Sequence, residues 1–236
     1  MGDLSPQRAQ EGQEIRLATR AIIWDHDGIQ VDTEDIWFRG SQYVGSLFDR
    51  EVTEVHRREL QRSHLSEYLI ERFDLDSTYE EVHELLYGKV DELAASLPLM
   101  AGVREATELC DRAGFVQGVG TGSDTAQVRE RLTRLGLIGF FEAVVGQDRA
   151  GKNRPKPYPD IFLQTASELK VRPEDCLVID DNPNGVAAAR AANMACVAVP
   201  SSHVPKAEYD QADATIPSLE YFSLELIAHI DSSRNS

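Results

Sequence analysis

The stretch "IIWDHDGIQVDT" at residues 22–33 changes character halfway along. Ile22, Ile23 and Trp24 form an apolar run of the kind found in strands that are buried on both faces. Asp25 ends this run, and Asp27 adds a second acid two positions later. Open parallel sheets bind ligands at the carboxyl ends of their strands, so this pair of carboxylates is a candidate active site.

The segment "DHDG", which begins at Asp25, has two other interpretations. Asp-Gly is common in hairpin turns, which would make "IQV" a returning strand. A calcium loop that starts at Asp25 needs an oxygen ligand, a glycine and a glutamate at its fifth, sixth and twelfth positions. Ile29, Gln30 and Ile36 occupy those positions, so the calcium loop fits worse. The hairpin and the strand-end site both stay open on this segment alone.

Short apolar runs recur along the rest of the chain, separated by amphipathic segments. This alternation predicts crossover units and a mainly parallel, Rossmann-like α/β sheet. The runs are "RAIIWD" (20–25), "FVQGVGT" (115–121), "EAVVG" (142–146), "CLVIDD" (176–181), "ACVAVP" (195–200) and "DATI" (213–216). Helices are predicted at 102–113, 124–135, 159–169, 185–192 and 218–230, with Asn184 and either Ser123 or Asp124 as N-caps.

One long interval lacks a strand pattern. Between Thr33 and Pro98 the chain consists of charged, amphipathic segments, which predict helices at 34–48, 51–61, 64–73 and 78–95. The joints "VDT" (31–33) and "LPLMAG" (97–102) flank this interval. We therefore expect a flexible leader (1–17), a Rossmann-like core (18–32 and 99–236) and an inserted α-helical cap domain (33–98).

Composition limits the partners of this protein. The formal net charge of −16 opposes binding to nucleic acid or to anionic lipid, because clustered Lys and Arg residues make most of the contacts in such binding. An apolar stretch of about 18 residues is absent from the sequence, so we expect a cytoplasmic protein without a membrane partner, and a monomer or weak dimer. Cys110, Cys176 and Cys196 lie far apart in apolar surroundings, which predicts buried reduced thiols.

Two further segments bear on anion binding. "GVGTGSD" (118–124) resembles a dinucleotide loop, but Ser123 replaces the third glycine and the motif does not follow the first strand. It is either a plain turn and helix cap, or an anion site in which Thr121 lies beside the amides of a helix start. In "NRPKPYPD" (153–160), Lys156 is either a solvated surface residue or a cation that the flanking prolines hold in one direction.

The segment "LVIDDNPNG" at 177–185 repeats the opening pattern. An apolar strand ends in Asp180 and Asp181, side by side. Adjacent like charges at a strand end are unfavourable unless a proton or a metal ion neutralises them.

The four strand ends supply, in order, a carboxylate pair, a hydroxyl, a lysine and another carboxylate pair. In this combination the chain resembles the haloacid dehalogenase superfamily, subfamily I, in its β-phosphoglucomutase-like branch of phosphatases and phosphomutases with a small helical cap. The resemblance extends from about Arg20 to Ile230 and includes "GVAAARAANM" at 185–194. Ile29 and Gln30 replace the Thr and Leu usual in the family, although neither position carries the chemistry.

The predicted reaction follows from charge. A carboxylate that attacks a phosphate dianion meets about 4 kcal/mol of repulsion per charge pair at 4 Å and an effective dielectric constant of 20. A cation must offset this, and the oxygen ligands of Asp25, Asp180 and Asp181 suit Mg²⁺. The resemblance implies that the backbone carbonyl of Asp27 also binds the metal, with Asp181 a direct ligand and Asp180 direct or water-mediated.

We assign catalytic roles to four residues. Asp25 is the predicted nucleophile, which forms an aspartyl-phosphate, and Asp27 is the general acid and base. Thr121 and Lys156 bind the phosphoryl oxygens, and Gly122 and Ser123 join them in the substrate-binding set. An acid at position 27 argues against the dehalogenase and phosphonatase branches, because a phosphate ester needs its leaving oxygen protonated and a halide does not.

The segment "ELQRSHLSEYL" at 59–69 bears on substrate choice. In β-phosphoglucomutase-like relatives, the corresponding loop carries a Gly followed by a Ser-Arg pair that grips a second phosphate. This chain has no glycine there and Leu65 at the arginine position, although Arg62 or His64 could substitute. We expect a hydrolase of a small, sugar phosphate-like metabolite; the alternatives are a phosphomutase and a catalytically silent binding protein.

Overall fold

A computed structural model describes residues 17–57, 59–61, 65–151, 154–201 and 204–234, with only the backbone described at positions 34 and 61. Within these residues, six strands form one parallel sheet in the order β3-β2-β1-β4-β5-β6. The strands are β1 Ala21–Trp24, β2 Val116–Gly120, β3 Ala143–Val145, β4 Cys176–Asp180, β5 Ala195–Ala198 and β6 Ala214–Thr215. All six predicted strands and the α/β, Rossmann-like fold are confirmed.

The central strand β1 is apolar throughout because both of its faces are covered. Ile22 and Trp24 pack into a hydrophobic cluster on one side of the sheet. Ala21 and Ile23 pack into a second cluster on the other side. β1 pairs with β2 on one edge and with β4 on the other, so no position beside it is left for a returning strand. The hairpin interpretation of "DHDG" is therefore wrong.

Nine α-helices are found in the described residues. They are α1 Glu34–Leu47, α2 Leu65–Phe73, α3 Tyr79–Ala94, α4 Val103–Arg112, α5 Thr125–Arg134, α6 Gln147–Ala150, α7 Asp160–Leu169, α8 Pro183–Ala191 and α9 Leu224–Arg234. The short helix α6 was not predicted. Asp124 is the N-cap of α5, as expected, but the N-cap of α8 is Asn182 and not Asn184, because Pro183 begins this helix and the Asn182 side chain accepts from the Asn184 amide.

Two predicted helices differ from the structure. The segment 51–61 contains the 3₁₀ turns Glu54–His56 and Glu59–Gln61. In the first turn, the Thr53 amide donates to Nδ1 of His56 over 3.1 Å, which caps the turn locally. Near the carboxyl terminus, the predicted helix 218–230 is a 3₁₀ turn, Leu219–Tyr221, followed by α9.

Helices α1, α2 and α3 form the helical insertion, which has a hydrophobic cluster of its own. Val44, Leu69 and Leu86 are fully buried within this cluster. The two chain segments that enter and leave the insertion lie side by side, because Val31 and Leu99 form an antiparallel bridge. This arrangement fits the predicted cap (33–98), which stays a prediction, as does the rest of the division into leader, core and cap.

Other expectations from composition have mixed outcomes. Cys110, Cys176 and Cys196 are all buried and unpaired, as predicted. None of the described helices has the length and apolar character needed to span a bilayer. Almost all of the predicted leader, residues 1–16, lies outside the described residues.

Candidate active site

The predicted site residues lie at neighbouring strand ends. Asp25 follows β1, Thr121 follows β2, and Asp180 and Asp181 close β4. Backbone pairing continues past the strands, since the Asp25 amide donates to the Ile179 carbonyl over 2.9 Å. Because β1 lies between β2 and β4, these side chains emerge together at one edge of the sheet.

Three carboxylates converge at this edge. Asp25, Asp180 and Asp181 each place a carboxylate oxygen within 4.8 Å of the others. Nζ of Lys156 donates to Oδ1 of Asp25 over 2.8 Å and to Oδ2 of Asp180 over 2.7 Å. A single ammonium group faces three acids, so the cluster retains unbalanced negative charge when all of them are ionised.

The protonation of the cluster reflects that imbalance. Burial raises the pKa of Asp25 to about 7, and the charges of Asp180 and Asp27 add to the effect while Lys156 opposes it. Burial, together with Asp180 and Asp25, also raises the pKa of Asp181 well above its ordinary range. For Lys156, burial favours the neutral amine, but Asp180 and Asp25 outweigh it and raise its pKa. The cluster therefore favours an additional cation.

Two glycines allow the carboxylates to approach this closely. Gly28 has a φ of +82°, and a Cβ at this position would lie 2.2 Å from Oδ2 of Asp181. A Cβ on Gly185 would lie 2.0 Å from Cγ of Asp180. Any side chain at either position would displace a carboxylate. The oxygen-only donor set of this triad fits a hard divalent cation such as Mg²⁺.

The side chain of Asp27 faces a different group of partners. Its Oδ2 accepts from the hydroxyl of Ser123 over 2.6 Å and from that of Thr121 over 3.3 Å. Burial opposes its ionisation, but His26, Arg131 and the Ser123 hydrogen bond outweigh burial and hold the pKa of Asp27 below its ordinary value. Asp27 thus carries its charge beside the triad without sharing the Lys156 ammonium.

Arg131 on α5 is a neighbour of the site that sequence reasoning missed. It is 6% exposed, and its Nη1 lies 3.6 Å from Oδ1 of Asp27. Its Nη2 donates to Asp91 on α3, which also accepts from the side chain of Gln127. Arg131 therefore joins the site to the helical insertion. The available sequence signal was that Arg131 lies one helical turn beyond Gln127 on α5. This amphipathic pattern did not show which residues Arg131 would contact.

His26, between the two acids, has a local role. It is fully buried, and its Nδ1 lies 2.8 Å from Oε1 of Gln30. Burial lowers the pKa of His26, and the charge of Asp27 opposes this effect. This environment fits a residue that bonds locally and does not act as a catalytic base.

A cavity of about 980 Å³ lies above the strand ends and below the helical insertion. All of the predicted site residues line it: Asp25, Asp27, Thr121, Gly122, Ser123, Lys156, Asp180 and Asp181. Leu65, at the position where relatives carry an arginine, also lines it. Arg62 and His64, the two predicted substitutes for that arginine, lie outside the described residues.

Residues 22–199 match the family model of the haloacid dehalogenase-like hydrolases. The chain belongs to this family. Hexitol phosphatase B of Escherichia coli K12 is 28% identical over 84% of this chain and 92% of its own. β-Phosphoglucomutase of Bacillus subtilis is 30% identical over 76% of this chain and 83% of its own. The crystal structure of CbbY from Rhodobacter sphaeroides with phosphate has a TM-score of 0.78 and 24% identity, and it covers 89% of this chain and 99% of that one.

This haloacid dehalogenase-like hydrolase is an enzyme that acts on phosphate esters. The family match and the phosphatase relative support hydrolysis, and relatives of the chain act on small phosphorylated compounds. The acidic triad at the strand ends is a site that could hold a metal ion.

Proposed function

We propose that this enzyme hydrolyses the phosphate monoester of a small, sugar phosphate-like metabolite, with Mg²⁺, through an aspartyl-phosphate on Asp25. The observation that carries the proposal is the convergence of Asp25, Asp180, Asp181 and Lys156 at one edge of the sheet. This set combines a nucleophile with an ammonium group and with oxygen ligands for the additional cation that attack on a dianion requires.

Asp25 performs the first displacement. One of its carboxylate oxygens attacks phosphorus, the bond between phosphorus and the leaving oxygen breaks, and an acyl phosphate forms. Lys156 holds Oδ1 of Asp25 at 2.8 Å, which leaves the other oxygen for attack. A water molecule then attacks the same phosphorus atom and releases inorganic phosphate and the free carboxylate.

Asp27 transfers the proton in both steps. It donates to the leaving alkoxide in the first step and accepts from the attacking water in the second. The lowered pKa of Asp27 favours its ionised form, which is the form that accepts a proton. A phosphate dianion bound nearby raises the proton affinity of Asp27, and this suits the donating role.

The loop between β2 and α5 binds the phosphoryl oxygens. Thr121 and Ser123 present hydroxyls at the amino end of α5, and Gly122 lies between them on the cavity wall. A Cβ at Gly122 would meet open space, so this glycine leaves room for a ligand. Helix amino ends bind anions, and Lys156, which lines the same cavity, adds a full positive charge.

Mg²⁺ would be held by the carboxylates of Asp25 and Asp181, by Asp180 directly or through water, and by the backbone carbonyl of Asp27. The chemistry that it would supply is positive charge, which offsets both the acidic triad and the incoming phosphate. The tight packing of Gly28 and Gly185 against these carboxylates supports this assignment.

The predicted cap (33–98) would cover the leaving group and exclude water. A phosphomutase, the alternative that the Bacillus subtilis relative keeps open, must also hold a second phosphate there. Of the described residues on the insertion side of the cavity, Arg57 is the one Lys or Arg. It is bound to Glu54 over 2.7 Å and to Asp35 over 3.2 Å. This neutralised arginine favours the hydrolase.

Purified protein tests the proposal. We expect phosphate release from p-nitrophenyl phosphate and from a panel of sugar phosphates with Mg²⁺, and loss of that release with EDTA that is restored by added Mg²⁺. If no ester releases phosphate, the phosphatase proposal is wrong and the alternative of a catalytically silent binding protein is favoured. Interconversion of hexose phosphates without phosphate release, dependent on a bisphosphate primer, would establish the mutase instead.

A further inference from the structure

The insertion side of the cavity carries an aromatic wall, formed by Tyr79, His83 and Tyr87 on α3 and by Trp37 on α1. The three α3 residues are spaced four apart, so they lie on one face of the helix. The rings of Tyr79 and His83 are stacked with centroids 5.4 Å apart, and those of His83 and Tyr87 lie 4.0 Å apart. Trp37 packs edge-on against Tyr87 at 5.1 Å.

The aromatic wall begins close to the reacting groups and extends away from them. Burial raises the pKa of Tyr87 to about 12, and the charges of Asp27 and Asp91 add to the rise, so Tyr87 lies within electrostatic reach of the general acid. Eight residues of α-helix span about 12 Å, which places Tyr79 two turns farther out. Tyr79 is 41% exposed, so its ring is open to a ligand.

Among the described residues, the charges on this side of the cavity disfavour a second anionic group. Glu80 and Glu84 line the cavity on the same helix. Arg57 lies 4.0 Å from the centre of the Phe38 ring and is already paired with carboxylates. The two acids repel a bisphosphate and the paired arginine does not offset them, whereas an uncharged ring meets no such repulsion.

The described wall also offers an unused hydrogen-bonding group. Ser66 on α2 is 2% exposed and lines the cavity, and its hydroxyl has no hydrogen-bond partner among the described residues. Buried hydroxyls are ordinarily satisfied, so this one fits a polar atom of a ligand. The volume of about 980 Å³ lies at the upper end of the roughly 300–1,000 Å³ typical of small-molecule sites, which suits a ligand larger than one sugar ring.

We infer, resting on the proposed phosphatase activity, that the substrate is a sugar phosphate that carries an uncharged heteroaromatic ring, of the nucleoside 5′-monophosphate class. The phosphate occupies the strand ends, the sugar lies beside Tyr87, and the ring stacks against Tyr79 and His83. Stacking on aromatic side chains tolerates different bases, because every base has a π-face.

A matched pair of esters tests this inference. Uridine 5′-monophosphate and ribose 5-phosphate share the phosphosugar and differ by the base. We expect kcat/KM to be higher for the nucleotide by about tenfold, mainly through KM, because stacking contributes to binding. An equal or lower kcat/KM for the nucleotide would overturn the inference while leaving the phosphatase intact. No phosphate release from either ester or from p-nitrophenyl phosphate would overturn both.

Variants of one ring separate stacking from structure. In Tyr79→Leu the ratio of the two kcat/KM values should fall several-fold, and in Tyr79→Phe it should be retained. Tyr43→Leu is the matched control, since Tyr43 is 37% exposed on α1, lies near Lys89 and does not line the cavity. Its ratio should equal that of the parent enzyme. A Tyr79→Leu variant that loses activity equally on both esters would show a structural role and overturn the inference.

Discussion

The floor of the cavity and its aromatic wall are built in different ways. At the floor, Asp25 and Asp180 are buried, and two glycines packed against the acids fix the carboxylate positions. At the wall, Tyr79 is 41% exposed and its ring contacts are with other side chains of the same helix. The floor is rigid because the backbone of three adjacent strands sets it. The wall can change through single side chains without disturbing the sheet.

This difference suggests that the floor carries out the reaction and that the aromatic wall selects the substrate. In the proposed mechanism, the nucleophile and the acid and base group lie at the strand ends of the sheet, where small displacements are costly. The groups proposed to contact the leaving group lie on the helical insertion. Arg131 connects the two regions, because it contacts Asp27 on the core and Asp91 on the insertion. Substitutions on the floor should therefore affect every ester, and those on the wall should affect some esters more than others.

The largest effect is expected for Asp25→Asn. Phosphate release should fall by roughly a thousandfold or more for every ester, because the amide cannot form the acyl phosphate. Thermal stability at pH 8 should be maintained, because burial and the neighbouring acids, which raise the pKa of Asp25, disfavour its ionised form in the folded protein. Circular dichroism and a phosphate assay measure both quantities, with Asp111→Asn on the exposed face of α4 as the control. Substantial activity in Asp25→Asn would rule out this nucleophile.

Asp27→Asn should have the next largest effect. Loss of acid and base catalysis predicts a decrease of about 10²–10⁴-fold on alkyl phosphates. On p-nitrophenyl phosphate, the leaving group needs little protonation, so a burst of nitrophenol should precede slow turnover. Rapid-mixing absorbance measurements would detect the burst. An equal slowing of both steps, with no burst, would contradict the two-step role of Asp27.

Gly28→Ala tests how tightly the floor is fixed. The new Cβ would displace the Asp181 carboxylate and strain a backbone with a φ of +82°. Disturbing the support of a metal ligand weakens affinity by about 10–100-fold, so the Mg²⁺ concentration for half-maximal activity should rise by that factor. Gly139→Ala is the control, because a Cβ added at Gly139 would meet no described atom within 4 Å. An unchanged Mg²⁺ requirement in Gly28→Ala would show that Asp181 is not a ligand.

The smallest of these effects is expected for Asp91→Ala, at the junction. It removes the partner of Arg131 and Gln127 on the insertion, which should loosen the docking of α3 on α5. We expect kcat/KM to fall several-fold and equally for uridine 5′-monophosphate and ribose 5-phosphate. Glu92→Ala, whose exposed side chain pairs with Lys89, is the control and should be near neutral. A decrease in kcat/KM for only one of the two esters would show that Asp91 contributes to substrate choice, as is proposed for the aromatic wall.

The sequence predicted the sheet because its signal is local. The central strands β1 and β4 are short, mostly apolar and fully buried, and β1, β2 and β4 are each followed by a polar residue at the ligand-binding edge. Asp25, Thr121, Asp180 and Asp181 could therefore be named without coordinates. The prediction was weakest at 51–61, where Thr53 and His56 cap a 3₁₀ turn through their side chains. The amphipathic pattern there does not separate such turns from a helix.

The amino-acid sequence by itself determined the α/β fold, the helical insertion and the acids at the strand ends, because hydrophobic periodicity and residue type are local properties of the chain. Only the tertiary structure decided which groups meet across it. The contact of Lys156 with both Asp25 and Asp180, the packing of Gly28 against Asp181, and the bridge from Asp27 through Arg131 to Asp91 join residues far apart in sequence. Their distances depend on the order of the strands and the docking of the insertion, which no local pattern specifies.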